Sequence, residues 1–503
     1  MSSWPWRRQS LRCGTLALLL AAAGCGGSGS SDPPTPAEIT LNSADITLAA
    51  AGQSQQLVAT VLDQDGDPIP DATVQWTASE PTVVAVSTAG LLTAQGPGDA
   101  QVTATAGEAV ATAEVVVQST ASVEIADGNG QTAAPSTAVP TAPAVLVRDG
   151  GSNPVPGVRV LFTVGTASGS VTGESQITGA DGIARVGSWR LGSSGINILT
   201  AAIEGVEIAG EPVEFIATTA DPSGYNITVR YLTDISNPQL LAFAGAELRW
   251  ESLVTGDLAD VNLDIPVPNP CDLPGAPGPF DDLTIFVSIE PIDGPFGVLG
   301  QAGPCFVRVA PGDPSDGLTV IGKMQFDEDD MELLETEGSL GAVILHEMGH
   351  VLGFGTLWDD AGLLVDAADP DTPAEEDPHF TGAQALAAFE AAGGGPYPGA
   401  KVPVMDVGGE GTINSHWRDE VFDPEVMTGF LSDGVNPLSA ISVRSLADLG
   451  YTVNDAGADD FTLDLTPIRI AGQRRGRQLV NDIIKAPIQQ ITLDGRVVGV
   501  IRR

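Results

Sequence analysis

The segment SLGAVILHEMGHVLGFG, at residues 339–355, decides how this chain is interpreted. Its apolar side chains recur at intervals of three and four residues, which predicts a helix that Ser339 can cap. On such a helix His346 and His350 lie one turn apart on the same side, so that both imidazoles can bind one zinc ion. Glu347 projects beside them, where a carboxylate can accept a proton from water. The segment therefore predicts a zinc site with a general base.

This segment and two later ones resemble the metzincin metallopeptidases and, among them, the leishmanolysin family. The segments are HEMGHVLGFGTLW at residues 346–358, GTINSHWRDEVFDPEVMTG at residues 411–429 and NPLSAISVRSLADLGY at residues 436–451. Most metzincins carry their third His three residues after the Gly that ends this helix, here Gly353, but this chain has Thr356 there. Leishmanolysin-like enzymes insert a subdomain before that His, which implies an insertion at about residues 357–411. The resemblance covers about residues 225–453.

The resemblance assigns the site residues by position. It implies that His346, His350 and His416 are the zinc ligands. It also implies that Glu347 is the general base and that Met427 is the Met-turn residue below the metal. The implied reaction is hydrolysis of a peptide bond by a zinc-activated water, without a covalent intermediate.

Two histidines beyond the helix compete for the role of third ligand, among four in the chain. His379 lies in the acidic segment EEDPHF, inside the implied insertion and without a Met at the required distance, which favours a surface position. His416 is followed eleven residues later by Met427, and Gly429 allows a tight turn beneath the metal. We therefore predict that His416 is the ligand.

Two cysteines lie in the region that resembles the peptidases. Cys271 and Cys305 form an even pair in an exported domain, which predicts a disulfide. No Cys lies in a plausible propeptide, so latency through a thiolate on the zinc is not available to this chain. The sequence leaves the latency mechanism open.

The N-terminus has the layout of an export signal. Three basic residues, Arg7, Arg8 and Arg12, precede an uncharged apolar run at residues 14–23. The run is too short to span a bilayer permanently. The AAGC that follows resembles a bacterial lipobox, which implies a lipid on Cys25; the alternative is an ordinary secretory signal. We expect a lipoprotein signal peptide at residues 1–24 and a tether at residues 25–37.

Two strand-rich units are expected after the tether. Residues 38–119 alternate short apolar runs with turns around Trp76, and resemble the group 2 type of bacterial Ig-like domain. Residues 120–220 resemble the Ig-like domains of invasin and intimin. Both units are interpreted as spacers, with adhesion to a ligand as the alternative.

The catalytic domain is expected at residues 221–460, because helix-length patterns first appear there. Asn237 is predicted to cap its first helix, and apolar runs at residues 283–289 and 318–324 predict strands before an acidic turn, FDEDD. The fold class is therefore multidomain, with two all-β Ig-like sandwiches followed by an α+β metzincin-type catalytic domain.

Charge is distributed unevenly along the chain. The formal net charge of -43 excludes nucleic acid as a partner. Residues 461–503 instead hold eight Lys and Arg against three Asp. This basic tail, with a hairpin around Asp494, is predicted to dock on the acidic catalytic domain, the alternative being a site for an outside polyanion. Acidic runs at residues 327–330 and 369–377 are interpreted as solvated surface, with calcium binding as the alternative.

These observations predict a zinc endopeptidase displayed on an Ig-like stalk. The expected substrates are proteins or peptides, and the expected location is the bacterial cell envelope, at the outer membrane or cell surface, through a lipid anchor. The alternative is a surface adhesin whose peptidase domain is inactive. Retention of all three ligands and the base favours the enzyme. The sequence leaves the oligomeric state open.

Overall fold

The computed structural model describes most of the chain. The described residues are 34–48, 52–118, 120–193, 195–204, 208, 212–220, 224–369, 376–409, 411–465 and 477–502. The predicted signal peptide and Cys25 lie outside them. The chain divides into two compact units, and the second begins at Gln118 apart from a short segment at residues 49–53. No helix among the described residues is long and apolar enough to cross a membrane.

Short strands build the first unit. They are β1 Glu38–Leu41, β2 Asp45–Leu48, β3 Ser54–Gln56, β4 Ala59–Leu62, β5 Gln75–Ala78, β6 Val84–Val86, β7 Leu91–Ala94, β8 Gly98–Ala106 and β9 Ala109–Val117. One sheet has the order β2-β9-β8-β5, a second has the order β3-β7-β6, and β1 pairs with β4. Along β8 buried and solvent-facing side chains alternate, as expected for a sheet with one buried face. Trp76 packs against both apolar clusters of this unit.

A second group of strands opens the other unit. They are β10 Thr120–Asp127, β11 Gln131–Ala133, β12 Ala144–Asp149, β13 Arg159–Val164, β14 Ser170–Thr172, β15 Ser175–Ile177, β16 Ile183–Arg185, β17 Ser188–Arg190, β18 Gly195–Ile203 and β19 Val213–Thr219. Sheets of order β10-β12-β16 and β11-β19-β18-β13-β15 enclose a core around the fully buried Trp189.

The remaining strands and helices form the catalytic region. The strands are β20 Ile227–Tyr231, β21 Leu283–Glu290, β22 Gly300–Val309, β23 Thr319–Asp327, β24 Leu364–Val365, β25 His379–Phe380, β26 Val402–Pro403, β27 Phe430–Leu431, β28 Arg477–Gln478, β29 Ile488–Thr492 and β30 Val497–Ile501. The helices are α1 Asn237–Leu253, α2 Glu328–Glu337, α3 Leu340–Leu352, α4 Ala383–Phe389, α5 Asp419–Phe422 and α6 Ala440–Leu449, with a π-helical turn at Glu390–Gly394 and a 3-10 turn at Asp455–Gly457.

One sheet organises this region, with the strand order β20-β21-β23-β22-β29-β30. β20, β21 and β23 run parallel, whereas β22 runs antiparallel to β23. The C-terminal tail extends the sheet, because β29 pairs in parallel with β22 and β30 folds back on β29. The basic tail therefore docks on the catalytic region through main-chain hydrogen bonds.

Helix α1 joins the second group of strands to the catalytic region. The Nδ2 atom of Asn237 donates to the carbonyl of Glu214 at 2.8 Å and the Nδ2 atom of Asn129 lies 3.0 Å from its Oδ1 atom. Asn237 is therefore not the cap that the sequence predicted. Ser236 caps α1, because its hydroxyl accepts a hydrogen bond from Gln239 N. In return, Ser236 N donates to Gln239 Oε1 at 2.9 Å.

The acidic run at residues 327–330, predicted to be solvated surface, is solvated only in part, because Glu328 and Asp329 are exposed and the other two residues are not. Asp327 and Asp330 are fully buried, and the run caps and begins α2. Asp327 accepts the backbone N–H groups of Asp293 and Gly294 at 2.8 and 2.9 Å, and Asp330 accepts that of Phe296 at 3.0 Å. These carboxylates therefore bind a neighbouring loop instead of water.

Candidate metal centre

Helix α3 and a loop after β26 bring three histidines together. His346 and His350 lie one turn apart on α3, and their Nε2 atoms are 2.9 Å from each other. The Nε2 atom of His416 lies 3.1 Å from that of His346 and 3.0 Å from that of His350. All three side chains are fully buried. Gly353, with φ at 116°, ends α3 one turn beyond the second histidine, whereas Ser339 occupies the N-cap without a side-chain hydrogen bond.

The other ring nitrogen of each histidine faces a backbone carbonyl. The pairs are His346 Nδ1 with Val426 O at 2.6 Å, His350 Nδ1 with Phe354 O at 2.9 Å and His416 Nδ1 with Thr412 O at 2.9 Å. A carbonyl oxygen only accepts, so each Nδ1 carries a hydrogen, and the Nε2 atom of a neutral ring then presents a lone pair. Burial lowers the pKa of His346 and of His350, which keeps both rings neutral.

A fourth side chain that the sequence did not single out completes the group. The Oδ2 atom of Asp482, from the C-terminal tail, lies 3.0 Å from His416 Nε2 and 3.5 Å from His346 Nε2. Its side chain is only 1% exposed.

These four groups fit a divalent metal ion. Their ligand atoms lie within 4.8 Å of one another. Three Nε2 lone pairs and a carboxylate oxygen are all acceptors, and acceptors repel at such distances unless a cation lies between them. Zinc binds His nitrogen at about 2.0–2.1 Å and favours four ligands of this kind. The spacing of the three Nε2 atoms therefore suits an ion bound by all of them.

Glu347 lies beside the group with its carboxylate uncommitted. The side chain is fully buried, and neither carboxylate oxygen has a hydrogen-bond partner among the described residues. Burial raises the pKa of Glu347 well above its usual value, and the negative charge of Asp482 raises it further. β22 passes close by, since a Cβ on Gly300 would lie 3.2 Å from the Cγ atom of Glu347. A water molecule in this position would be the natural partner of the carboxylate.

Met427 packs against the part of α3 that carries the histidines. A Cβ added to Gly349 would lie 2.8 Å from the Cε atom of Met427, so a larger residue here would force the Met427 side chain to move. Gly429 is needed for space, not for a positive φ, because its Cβ would meet Thr412 at 2.6 Å. Buried Glu425, which the sequence did not reveal, holds the turn by accepting the N–H of Met427 at 2.6 Å.

The remaining residues singled out from the sequence lie outside the group. His379 is in β25 with its side chain 14% exposed, and its Nδ1 atom lies 2.7 Å from the carbonyl of Asp377. Thr356 donates to the carbonyl of His350 at 2.7 Å and supports the end of α3. Cys271 and Cys305 are joined by a disulfide, and Cys305 lies in β22.

Comparisons with known proteins give family matches for two parts of the chain. Residues 248–462 match the family model for leishmanolysin, and residues 37–117 match the model for the bacterial Ig-like domain of group 2. No curated protein matches the chain.

Solved structures share only limited similarity. The Yersinia pseudotuberculosis adhesin InvE is 18% identical with a TM-score of 0.21, over 37% of this chain and 60% of that one, which is less than two thirds of its length. Domains 4 and 5 of the S-layer protein SbsC are 19% identical with a TM-score of 0.18, over 37% of this chain and 99% of that one. The D0-D1 domain of Intimin is 19% identical with a TM-score of 0.15, over 36% of this chain and 94% of that one.

The buried three-histidine group and Glu347 lie inside the segment that matches leishmanolysin. The chain therefore combines a domain of the leishmanolysin peptidase family, at residues 248–462, with a bacterial Ig-like domain of group 2, at residues 37–117.

Proposed function

We propose that this protein is a zinc-dependent endopeptidase that hydrolyses peptide bonds in proteins. The observation that carries the proposal is the convergence of the three histidine Nε2 atoms next to the uncommitted carboxylate of Glu347. The leishmanolysin match at residues 248–462 supports a metallopeptidase. His346, His350 and His416 are the proposed ligands, and Met427 is the proposed residue below the metal.

The chain's own groups account for the proton transfers that hydrolysis requires. When bound, zinc supplies a Lewis acid that polarises the peptide carbonyl and lowers the pKa of a water molecule. Glu347 accepts the proton of that water and passes it to the leaving amine. The carbonyl partners of the three Nδ1 atoms hold the imidazoles in one tautomer and orientation. Glu425 supports the site indirectly by holding the turn at Met427.

The same proposal places the enzyme at the cell envelope. We infer that Cys25 carries the lipid and that residues 37–117 act as a spacer between the anchor and the peptidase domain. The second group of strands, at residues 120–219, is proposed to be a further Ig-like domain. An adhesin with an inactive peptidase domain is the competing proposal, but an inactive domain has no need to keep the base and the ligands in this arrangement.

The test replaces Glu347 by Gln, which keeps the volume of the side chain but removes the base. Hydrolysis of a denatured protein should fall by roughly 10²- to 10⁴-fold, while bound zinc stays at the wild-type level. The matched control is Glu332→Gln on α2, whose side chain is exposed, and it should leave both quantities unchanged. Turnover by Glu347→Gln at the wild-type rate would contradict the proposal.

A further inference from the structure

The proposed catalytic groups are completely enclosed. His346, Glu347, His350 and His416 are each 0% exposed. Hydrolysis requires a peptide carbonyl to come into contact with these groups, so the chain must open before a protein substrate can react. Asp482 belongs to the C-terminal tail, and the tail is therefore part of what encloses the proposed catalytic groups.

The tail lies along the edge of β22 that faces away from β23. Ala302 N donates to the carbonyl of Asp482 at 2.7 Å, and Ile484 N donates to the carbonyl of Ala302 at 2.9 Å. The side chain of Gln301 donates to the carbonyl of Asn481 at 2.8 Å. An extended peptide could add to this edge beside Glu347, but the tail already uses its donors and acceptors.

The other side of the tail fits the loops around His416 and Met427. Leu479 is buried, its N–H donates to the carbonyl of Gly429 at 3.0 Å, and its own carbonyl accepts from Thr412 Oγ1 at 3.0 Å. A Cβ on Gly411 would lie 2.4 Å from the Cα atom of Asn481, so only glycine allows this approach. Asn481 has a φ of 50°, and this left-handed turn directs the next residue, Asp482, into the site.

We propose that residues 477–486 are an intramolecular inhibitor of the peptidase, with Asp482 bound to the metal in the position that a catalytic site keeps open. The inference rests on the proposed function. Structural zinc sites have four protein ligands, whereas catalytic sites have three and leave the fourth position to water or substrate. Three histidines with Asp482 make a site with four protein ligands. Displacing the tail restores a site with three protein ligands and an open fourth position. A chain without a propeptide thiol thus has its own means of latency.

The contacts of this segment allow it to leave. Arg477 forms an ion pair with Glu337, whose side chains are partly exposed at 25% and 47%, and such pairs add little stability in water. The hairpin β29–β30 has separate contacts with β22 and can stay paired when residues 477–486 move. Displacement of the segment therefore breaks the short β27–β28 pairing and the bridge from Ile483 to Ala302, but the six-stranded sheet can stay folded.

The test uses the full mature chain loaded with Co²⁺, whose visible absorption reports the exchange of a ligand. Acetohydroxamate, a small chelating probe, is titrated into the wild type, Asp482→Ala and Asp482→Asn. Both variants should bind the probe at least about tenfold more tightly, because one carboxylate ligand no longer competes for the ion. The Asn variant keeps the side-chain volume, so it still tests the inference if the Ala variant misfolds.

The matched control is Asp494→Ala, in the same tail but with its carboxylate 63% exposed. It should bind acetohydroxamate as the wild type does. A second measurement is zinc affinity by competition with a chromophoric chelator, where loss of Asp482 as a direct ligand should weaken binding by more than the roughly 10- to 100-fold that loss of a supporting partner costs. Equal probe binding by the wild type and both Asp482 variants, or unchanged zinc affinity in both variants, would overturn the inference.

Neither measurement depends on peptidase activity, so the two proposals fail separately. Asp482→Ala should also cleave a denatured protein at least about tenfold faster than the wild type, and adding Glu347→Gln should abolish that gain. If the metal measurements respond but no variant cleaves protein, the proposed function is wrong and Asp482 is still a ligand. If the wild type and Asp482→Ala cleave at equal rates, the tail is not an inhibitor.

Discussion

At the scale of single residues, the choice between His416 and His379 is the sharpest test of the site. The Nε2 atom of His416 lies within 3.1 Å of both α3 histidines, whereas His379 lies in β25, where its Nδ1 atom faces the carbonyl of Asp377. Spacing along the chain already favoured His416. The structure adds the reason why its ring is fixed, which is the contact of Nδ1 with Thr412 O.

We predict that His416→Ala loses the metal and the activity, while His379→Ala keeps both. Loss of a direct ligand should weaken binding by more than the roughly 10- to 100-fold that loss of a supporting partner costs. The measurement is zinc content after dialysis, with turnover of a denatured protein alongside. The opposite pattern would show that the site is assembled around His379.

At the scale of elements, β22 is the strand on which the site and the tail both depend. It passes beside Glu347, pairs with the tail and is held through Cys305 to Cys271 in the loop before β21. The disulfide joins two residues that are 34 positions apart in the sequence. Such a link stabilises the fold mainly by restricting the unfolded chain.

Replacing Cys271 and Cys305 together by Ala should lower the free energy of unfolding by about 3–4 kcal/mol on the chain-entropy account. The measurement is urea unfolding without reductant, and the control is the wild type unfolded with reductant, which should match the double variant. An unchanged midpoint in the double variant would show that the disulfide contributes no stability.

Helix α2 shows how an element can be misjudged from composition. A run of four acidic residues suggested a solvated turn, yet carboxylates in a first turn are favoured by the helix dipole and by free N–H groups. The buried positions of Asp327 and Asp330 follow from a loop that is distant in sequence. Local charge alone does not reveal that partner.

At the scale of the whole molecule, the chain divides into two compact units. Residues 120–220, predicted to form a second Ig-like domain, lie in the same compact unit as the catalytic region, and Asn237 of α1 bonds to their strands. The domain at residues 37–117 belongs to the other unit. The second group of strands also supports α1, whose Trp250 in turn donates to Leu345 O in α3 at 3.0 Å.

The proposed lipid anchor acts on the molecule as a whole. We predict that the wild type fractionates with membranes and enters the detergent phase, whereas Cys25→Ala is left unprocessed or is released. A lipid attached to the N-terminal Cys is the physical cause of the difference. Sequencing of the mature N-terminus provides the check, and a start at a position other than Cys25 would rule the anchor out.

The sequence by itself determined the parts of the site that depend on short-range geometry. His346, Glu347 and His350 follow from a helical period of 3.6 residues, and Gly353 from the need for a left-handed residue at the helix end. The spacing from His416 to Met427 pointed to the second part of the site. These features depend on neighbours along the chain, so a pattern of residues reveals them.

Only the tertiary structure decided the role of Asp482 and the closure of the site. Nothing in the residues around Asp482 marks it as a ligand, because its position depends on the pairing of β29 with β22 and on the turn at Asn481. Glu425 is likewise recognisable only once Met427 lies next to it. Pairing between strands that are distant in sequence brings these carboxylates next to the site. A pattern of residues along the chain does not show such contacts.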